Sequence, residues 1–379
     1  MGSIRKAPRT AKGRKSAVRW EARYRDTSGR QRTRTFDFEA DAKAFLSTVE
    51  ADVIRGMWVD PSGARLGFDE WIADWWSTTT HLRRSTRVRD RGLLDRYVRP
   101  TFRDHRLGAI TQPEIRAWVA SLSARGLAPA TVHLAYGLLS RILSAAVDAG
   151  LIGSTPCRKI PLPRIEREEM RFLDSIEVET LAQAIDQRYR ALVLVGCYGG
   201  LRIGELAGLR RSRVDLLRGT IDVAEIADET GGHLTYGPPK TRASRRVVSL
   251  PRPVIAELED RLIAVTDPTA LVFPAPEGGG LRVNSWRRRF WLPAVMAAGL
   301  EPLRPHDMRH TAVALWIAAG ASPLEVARRA GHTSTSFTLD RYGHLFPAAD
   351  EILRGKLEAM MTGVPQSADS RVVSIDVNR

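Results

Sequence analysis

Two stretches towards the C-terminal end of the chain hold side chains suited to work on phosphate. "LRPHDMRHTAVALW", Leu303 to Trp316, packs His306, Arg309 and His310 into five residues, and "GHTSTSFTLDRYGH", Gly331 to His344, carries His332 and a lone Tyr342. The apolar spacing of the first stretch predicts a helix. His306 and Arg309, three apart, share a face of it and can meet the same phosphate. His310 projects about 100 degrees further round and reads as a structural histidine.

Two more groups belong with these: Arg202 in "GLRIGEL" and Lys240 in "PPKTRASRR". Taken singly, each has an ordinary explanation. Arg202 can pair with Glu205, Lys240 can be a solvated turn lysine, and His306 and His332 can sit at helix ends. Neither a carboxylate cluster nor a His-rich metal motif is present, and Cys157 and Cys197 lie too far apart in sequence for metal-ligand spacing. No metal and no cofactor are expected.

The 379 residues exceed one typical core, so two or three domains are expected. The formal net charge is +15, unevenly spread. Residues 1–35 hold twelve Lys and Arg against Glu21 and Asp26, and nine arginines face three aspartates between Arg83 and Arg106. Two separate basic regions suggest a polyanion touched in more than one place. Only seven of the 58 basic residues are lysine, and arginine suits bidentate phosphate contacts. A GC-rich genome gives the same bias. Two cysteines without metal-ligand spacing and no apolar stretch of membrane-spanning length point to a reduced, cytosolic compartment with no membrane partner.

The elements that must position these groups fall into three segments. "VRWEARYR" alternates Val18, Trp20, Ala22 and Tyr24 with charged residues, the period of a half-buried strand. "DTSG" supplies a turn and "RQRTRTFDF" a second strand. Its arginines share parity with Phe36 and Phe38, which requires a bulge or an end to pairing. A helix follows, with Ala42, Phe45, Leu46, Val49 and Val53 on one stripe. Arg19, Arg23, Arg25, Arg32 and Arg34 are the candidate DNA contacts of this sheet. After the Pro- and Gly-containing "WVDPSGARLGF" come four helical stretches, in which Trp71, Trp75 and Trp76 read as core aromatics. "STPCRKIPLPRIERE" reads as a second linker. The third segment opens with Asp174 capping a helix and Glu177 as its box partner. It continues through "ALVLVGCYGG", short strands "GTIDVAEIA" and "SRRVVSL", and further helices.

In order and spacing, "GLRIGEL", "PPKTRASRR", "PHDMRH", "GH" and "TLDRYGH" make the sequence resemble the tyrosine recombinases, the family of phage integrases. The resemblance covers nearly the whole chain. It extends to "GLAPATV" and "AAVDAGLI" in the helical segment, while Thr155-Pro156 stands where many members have Asn-Pro. It implies a multidomain protein: a small β-sheet plus helix as an arm-type DNA-binding domain (1–60), an all-α core-binding domain (66–152), a mixed α+β, mainly α, catalytic domain (170–362) and a C-terminal tail (363–379). The core-binding and catalytic domains would form a clamp on duplex DNA.

The implied site is Arg202, Lys240, His306, Arg309, His332 and Tyr342. Tyr342 would attack the phosphodiester and form a 3′-phosphotyrosyl link, with His306 helping it lose its proton. Arg202 and Arg309 would neutralise the phosphorane-like charge, Lys240 would protonate the departing 5′ oxygen, and His332 would bond the phosphate. The implied partners are double-stranded DNA attachment sites and three further copies in a homotetramer, with accessory DNA-bending or directionality proteins as further candidates. The implied activity is site-specific integration and excision of a mobile element through a Holliday junction. A resolvase-like recombinase, a type IB topoisomerase and a DNA-binding protein without catalysis are the alternatives. The apolar residues of "EILRGKLEAMM", Ile352, Leu353, Leu357 and Met360, can dock on a neighbouring subunit or on their own domain.

Overall fold

The computed structural model describes residues 2–6, 19–25, 29–54, 63–166, 170–239, 241–263 and 265–346, and beyond these 354, 357, 358, 360 and 361. The chain divides into two compact units, Met1–Arg167 and Glu168–Arg379.

The first unit holds two separate apolar cores. One belongs to a three-stranded antiparallel sheet of β1 (Ser3–Lys6), β2 (Trp20–Arg25) and β3 (Gln31–Phe36), covered by α1 (Glu39–Ile54). Strand β1 has no counterpart in the sequence reading, because four residues carry too little alternation to register. Ala22 and Tyr24 alternate inward and meet Ala42, Leu46 and Val49 of α1; the side chain of Val53 and the turn at 26–28 lie outside the described residues. The β2–β3 register is regular from Trp20↔Phe36 to Arg25↔Gln31, so there is no bulge. Pairing ends at Phe36, and Phe38 is left exposed.

The second core belongs to α2 (Phe68–Thr78), α3 (Arg84–Leu93), α4 (Arg99–Phe102), α5 (Gln112–Ala124) and α6 (Pro129–Asp148). A π-helical turn, Leu94–Val98, joins α3 to α4 just before Pro100. Proline has no N–H to give to the carbonyl four residues back, and the ladder slips there. One helix, α6, is long and apolar enough by length and composition to cross a membrane, which departs from the expectation of no such stretch. Its residues Val132, Leu138, Leu139, Ile142 and Leu143 line the centre of the bundle. Trp75 is buried, and Trp71 donates its indole N–H to the Ile142 carbonyl at 3.0 Å. The bundle extends past residue 152: Cys157, Ile160 and Leu162 of the proline-rich stretch pack on its core.

The second unit begins with α7 (Ser175–Ala184), whose Asp174 and Glu177 form the expected capping box. Next come α8 (Arg190–Gly199), α9 (Ile203–Ala207) and β4 (Val214–Asp215). The single strand expected over "GTIDVAEIA" is two: β5 (Thr220–Val223), which pairs with β4 and with β8 (Arg246–Ser249), and β6 (Ile226–Thr230), which pairs with β7 (His233–Gly237) in a separate sheet. Gly231 and Gly232, both at positive φ, make the tight β6–β7 turn. Strand β8 (Arg246–Ser249) leads to α10 (Arg252–Leu262), α11 (Val283–Trp286) and α12 (Leu292–Ala297). A second π-helical turn, Arg287–Trp291, again precedes a proline, Pro293. The last helices are α13 (Asp307–Ala318), α14 (Pro323–Ala330) and α15 (Thr335–Tyr342). Helix α13 packs along α8 and is buried on nearly every side, which accounts for its apolar composition. Beyond α15, Leu357 and Met360 are exposed, while Ile352 and Leu353 and the tail 363–379 lie outside the described residues.

Candidate active site

Helix α8 ends on Gly200, at φ +65, where a Cβ would lie 2.5 Å from the Trp316 ring. Only glycine fits that left-handed turn against the indole. The turn delivers Arg202 to the start of α9 and leaves the Gly200 carbonyl facing α13. Arg309 of α13 fills that opening. Its side chain is 3% exposed and donates through Nη1 to the Gly200 carbonyl at 2.6 Å and through Nη2 to the Ala330 carbonyl. Burial first, and then the charges of Arg202 and Arg246, pull its pKa down to about 9, which still leaves it cationic at neutral pH.

Arg202 is tied to Glu205, one turn on. The carboxylate accepts from the Arg202 backbone N–H at 2.9 Å and from its Nη1 at 2.9 Å. Glu205 is buried and also accepts from Arg246, Nη2 to Oε2 at 2.9 Å. Burial opposes its ionisation, but Arg246 and Arg202 outweigh it and hold the carboxyl below its ordinary range. Arg246 in turn donates Nε to the Arg329 carbonyl at 2.8 Å. Arg246 went unrecognised in the sequence because "KTRASRR" offers four cations with no spacing to separate the one that turns inward.

His332 follows Gly331, whose φ of +65 ends α14 and whose Cβ would lie 2.9 Å from the Ala243 carbonyl. The ring is fixed by Thr338, 2.8 Å from Nδ1, and stacks on Tyr342 at 6.3 Å and 7°. Burial, then Arg309, Arg202 and Arg246, bring its pKa to about 3. His306 keeps part of its ring exposed, but the protein packed around the rest lowers its pKa, with Arg309 and Arg202 adding to the effect.

Tyr342 is 1% exposed, in a satellite core with Ala312, Val313, Trp316 and Val326. Burial raises the pKa of its phenol, against the lowering influence of Arg309, Arg341 and Arg202. Its hydroxyl lies 2.6 Å from Nδ1 of His310. His310 was read from sequence as a structural histidine and His306 as the partner of the phenol; spacing on one helix cannot tell which histidine a separate helix will approach. The chain just before α7 also reaches this helix: Met170 Sδ accepts from Arg341 Nε at 3.3 Å, and the Phe172 ring lies 6.4 Å from that of Tyr342.

Of the six expected residues, Arg202, His306, Arg309, His332 and Tyr342 come together from separate elements; Lys240 lies outside the described residues. The five arginines of the N-terminal sheet do not share one face. Arg23 and Arg25 alternate with the inward Ala22 and Tyr24, so they lie on the open face, and Arg19 has their parity. Arg32 and Arg34 sit opposite Tyr24 and Ala22 in the ladder and therefore lie on the helix side. The Arg34 guanidinium covers the Phe45 ring of α1 at 4.9 Å. The open face gains Arg5, bonded to Glu21 at 2.9 Å.

A profile of the phage integrase family matches residues 171–348. The chain is 32% identical over 354 residues to a putative prophage phiRv2 integrase of Mycobacterium tuberculosis (strain H37Rv), covering 90% of this chain and 93% of that protein. Among solved structures it resembles a Tn1549 transposon integrase in complex with circular intermediate DNA, with a TM-score of 0.67 at 18% identity over 78% of this chain and 99% of the other. It also resembles a lambda integrase tetramer bound to a Holliday junction, with a TM-score of 0.53 at 18% identity over 84% and 92%.

Proposed function

The chain belongs to the phage integrase family of tyrosine recombinases, and from that premise we propose that Arg202, Lys240, His306, Arg309, His332 and Tyr342 form its active site. It is a tyrosine-type site-specific recombinase that serves the integration of a mobile element. The observation that carries the site assignment is the convergence of two guanidinium groups, Arg202 and Arg309, on a tyrosine and two histidines. An in-line attack on a phosphodiester places extra charge on the non-bridging oxygens, and fixed cations stabilise that state most. Arg309 is held by two carbonyls and Arg202 by a carboxylate, so neither has to reorganise when the phosphate arrives.

In this reading Tyr342 attacks phosphorus, a 3′-phosphotyrosyl link conserves the bond energy, and Lys240 protonates the 5′ oxygen that leaves. A second DNA end reverses the step through a Holliday junction. The substrate is duplex DNA at paired attachment sites, acted on in the bacterial cytoplasm by four copies, the assembly seen for lambda integrase. Residues 66–152 would grip the core site, with Arg87 and Arg91 on α3 flanking Trp76 at 5.5 Å, and residues 1–60 would bind separate arm sites through the open face bearing Arg5, Arg23 and Arg25. Accessory DNA-bending or directionality proteins would act on the same assembly. The basic sheet favours this integrase reading over a resolvase-like one.

The test is a nicked suicide substrate resolved on a denaturing gel. Tyr342→Phe removes one oxygen and no charge, so DNA binding is expected to stay near wild type while the covalent adduct disappears. An adduct that persists in this variant would place the nucleophile elsewhere.

A further inference from the structure

We propose that His310 is the residue that takes the proton from the Tyr342 phenol during cleavage, in place of His306, an assignment that rests on the reading of Tyr342 as the nucleophile. The hydroxyl and Nδ1 of His310 are 2.6 Å apart in a buried contact. His306 stands next to His310, ring centroids 4.8 Å apart and nearly perpendicular, one turn earlier on the same helix face. The phenol thus already has an imidazole nitrogen in line for its proton.

Burial makes that acceptor necessary. Tyr342 ionises less readily than an exposed tyrosine, so the attacking oxygen must shed its proton as the bond to phosphorus forms. An acceptor has to be neutral beforehand, and His310 is. Tyr342 and Arg341 face it from α15, His332 from the turn after α14, and His306, Asp307 and Arg309 from its own helix. Burial, His306 and Arg341 bring its pKa to about 4. The free site is therefore a weak base. A bound scissile phosphate pairs with Arg309 and adds negative charge, which offsets that cationic influence and makes the imidazole a better acceptor. In the tautomer protonated at Nε2, Nδ1 accepts from the phenol O–H.

The step then balances. The Oη–H bond breaks with its electron pair left on oxygen, and the proton goes to Nδ1. The Oη–P bond forms, and the P–O5′ bond breaks with its pair on the 5′ oxygen, which takes a proton from Lys240. Rejoining runs the same transfers backwards.

His310→Asn tests this, because an amide oxygen near the position of Nδ1 can accept the hydrogen bond but cannot hold the proton. Single-turnover adduct formation on the suicide substrate would be followed from pH 5.5 to 9 with the full-length protein, alongside DNA binding and a melting transition as a fold control. The expected loss is about 100-fold or more, with a rate that rises roughly tenfold per pH unit where wild type is flat. His310→Ala should recover activity with added imidazole and so decides the matter if the Asn variant does not fold. A wild-type rate in His310→Asn, a loss with an unchanged pH profile and no imidazole rescue, or the same signature in His306→Asn would each overturn the assignment. Tyr342→Phe in the same assay separates the two failures. An adduct that survives there removes the nucleophile itself, whereas an adduct lost there with His310→Asn unaffected removes only this inference.

Discussion

Glu205 engages Arg246 with both carboxylate oxygens, at 3.2 Å from Nη1 and 2.9 Å from Nη2, while it also holds Arg202. One buried anion thus positions Arg202, an arginine of the proposed site, against a second arginine that reaches across to the end of α14. Glu205→Gln keeps the shape and removes the charge, leaving two guanidinium groups with one neutral acceptor. Removing one partner of a buried pair costs about 3–5 kcal/mol, so a clear drop in melting temperature is expected, together with slower cleavage of the suicide substrate. An unchanged melting temperature would mean that Arg202 and Arg246 are held by other contacts.

The histidines make stability depend on pH in a definite direction. His310 and His332 titrate near 4 and 3 in the folded protein, and His306 below its ordinary value, whereas an unfolded histidine titrates near 6.5. Between those values the unfolded chain binds more protons, so stability rises with pH. Their contribution is complete above about pH 6.5 and is lost as the pH falls through the folded values. Glu205 acts in the same sense lower down, complete above about pH 4.3 and lost as the pH falls further. Melting temperature should climb from pH 4.5 to 7, and His332→Asn should climb less. A flat wild-type profile would show that the folded site already tolerates imidazolium.

Much of this was legible in the sequence, and the gaps have physical causes. Asp174 and Glu177 cap α7 as their spacing required, and the apolar stripe of Ala42, Leu46 and Val49 buries as expected, because both depend on neighbours within a few residues. The β5–β6 break is hard to read from "GTIDVAEIA" because no Gly or Pro marks it; its one sign is that Glu225 falls on the apolar parity of Ile221 and Val223. Charge alone marks Arg32 and Arg34 as DNA contacts alongside Arg23; pairing register, which no single strand reveals, puts them opposite Tyr24 and Ala22. The link between His310 and Tyr342 joins residues 32 apart through a helix crossing. Spacing gives helix faces, and only packing says which face a second helix meets.

Lys240 is accessible to a chemical test. If it protonates the leaving oxygen, Lys240→Ala slows cleavage of an ordinary phosphodiester greatly. A substrate with a 5′-bridging phosphorothiolate has a leaving group that needs no proton, so it should restore much of the lost rate. Equal defects on both substrates would remove Lys240 from this role and turn attention to Arg242 and Arg245 in the same turn.

Deleting residues 1–60 should separate the two DNA contacts. The sheet and α1 have their own core of Ala22, Tyr24, Ala42, Leu46 and Val49, distinct from the core of the helical bundle, so the remainder should still fold. The deletion removes +6 of the formal net charge of +15 and none of the six proposed site residues. Cleavage of a core-site suicide substrate should therefore persist at low salt. Integration between two full attachment sites should fail, because a protein that holds arm and core DNA together gains a high local concentration of one on the other, and the deletion abolishes that gain. Binding to full sites should also become less salt-dependent, since fewer counterions are released. A truncated protein that integrates as well as the intact one would reduce the basic sheet to a nonspecific tether, and would favour the simpler resolvase-like arrangement in which the bundle and catalytic domain suffice.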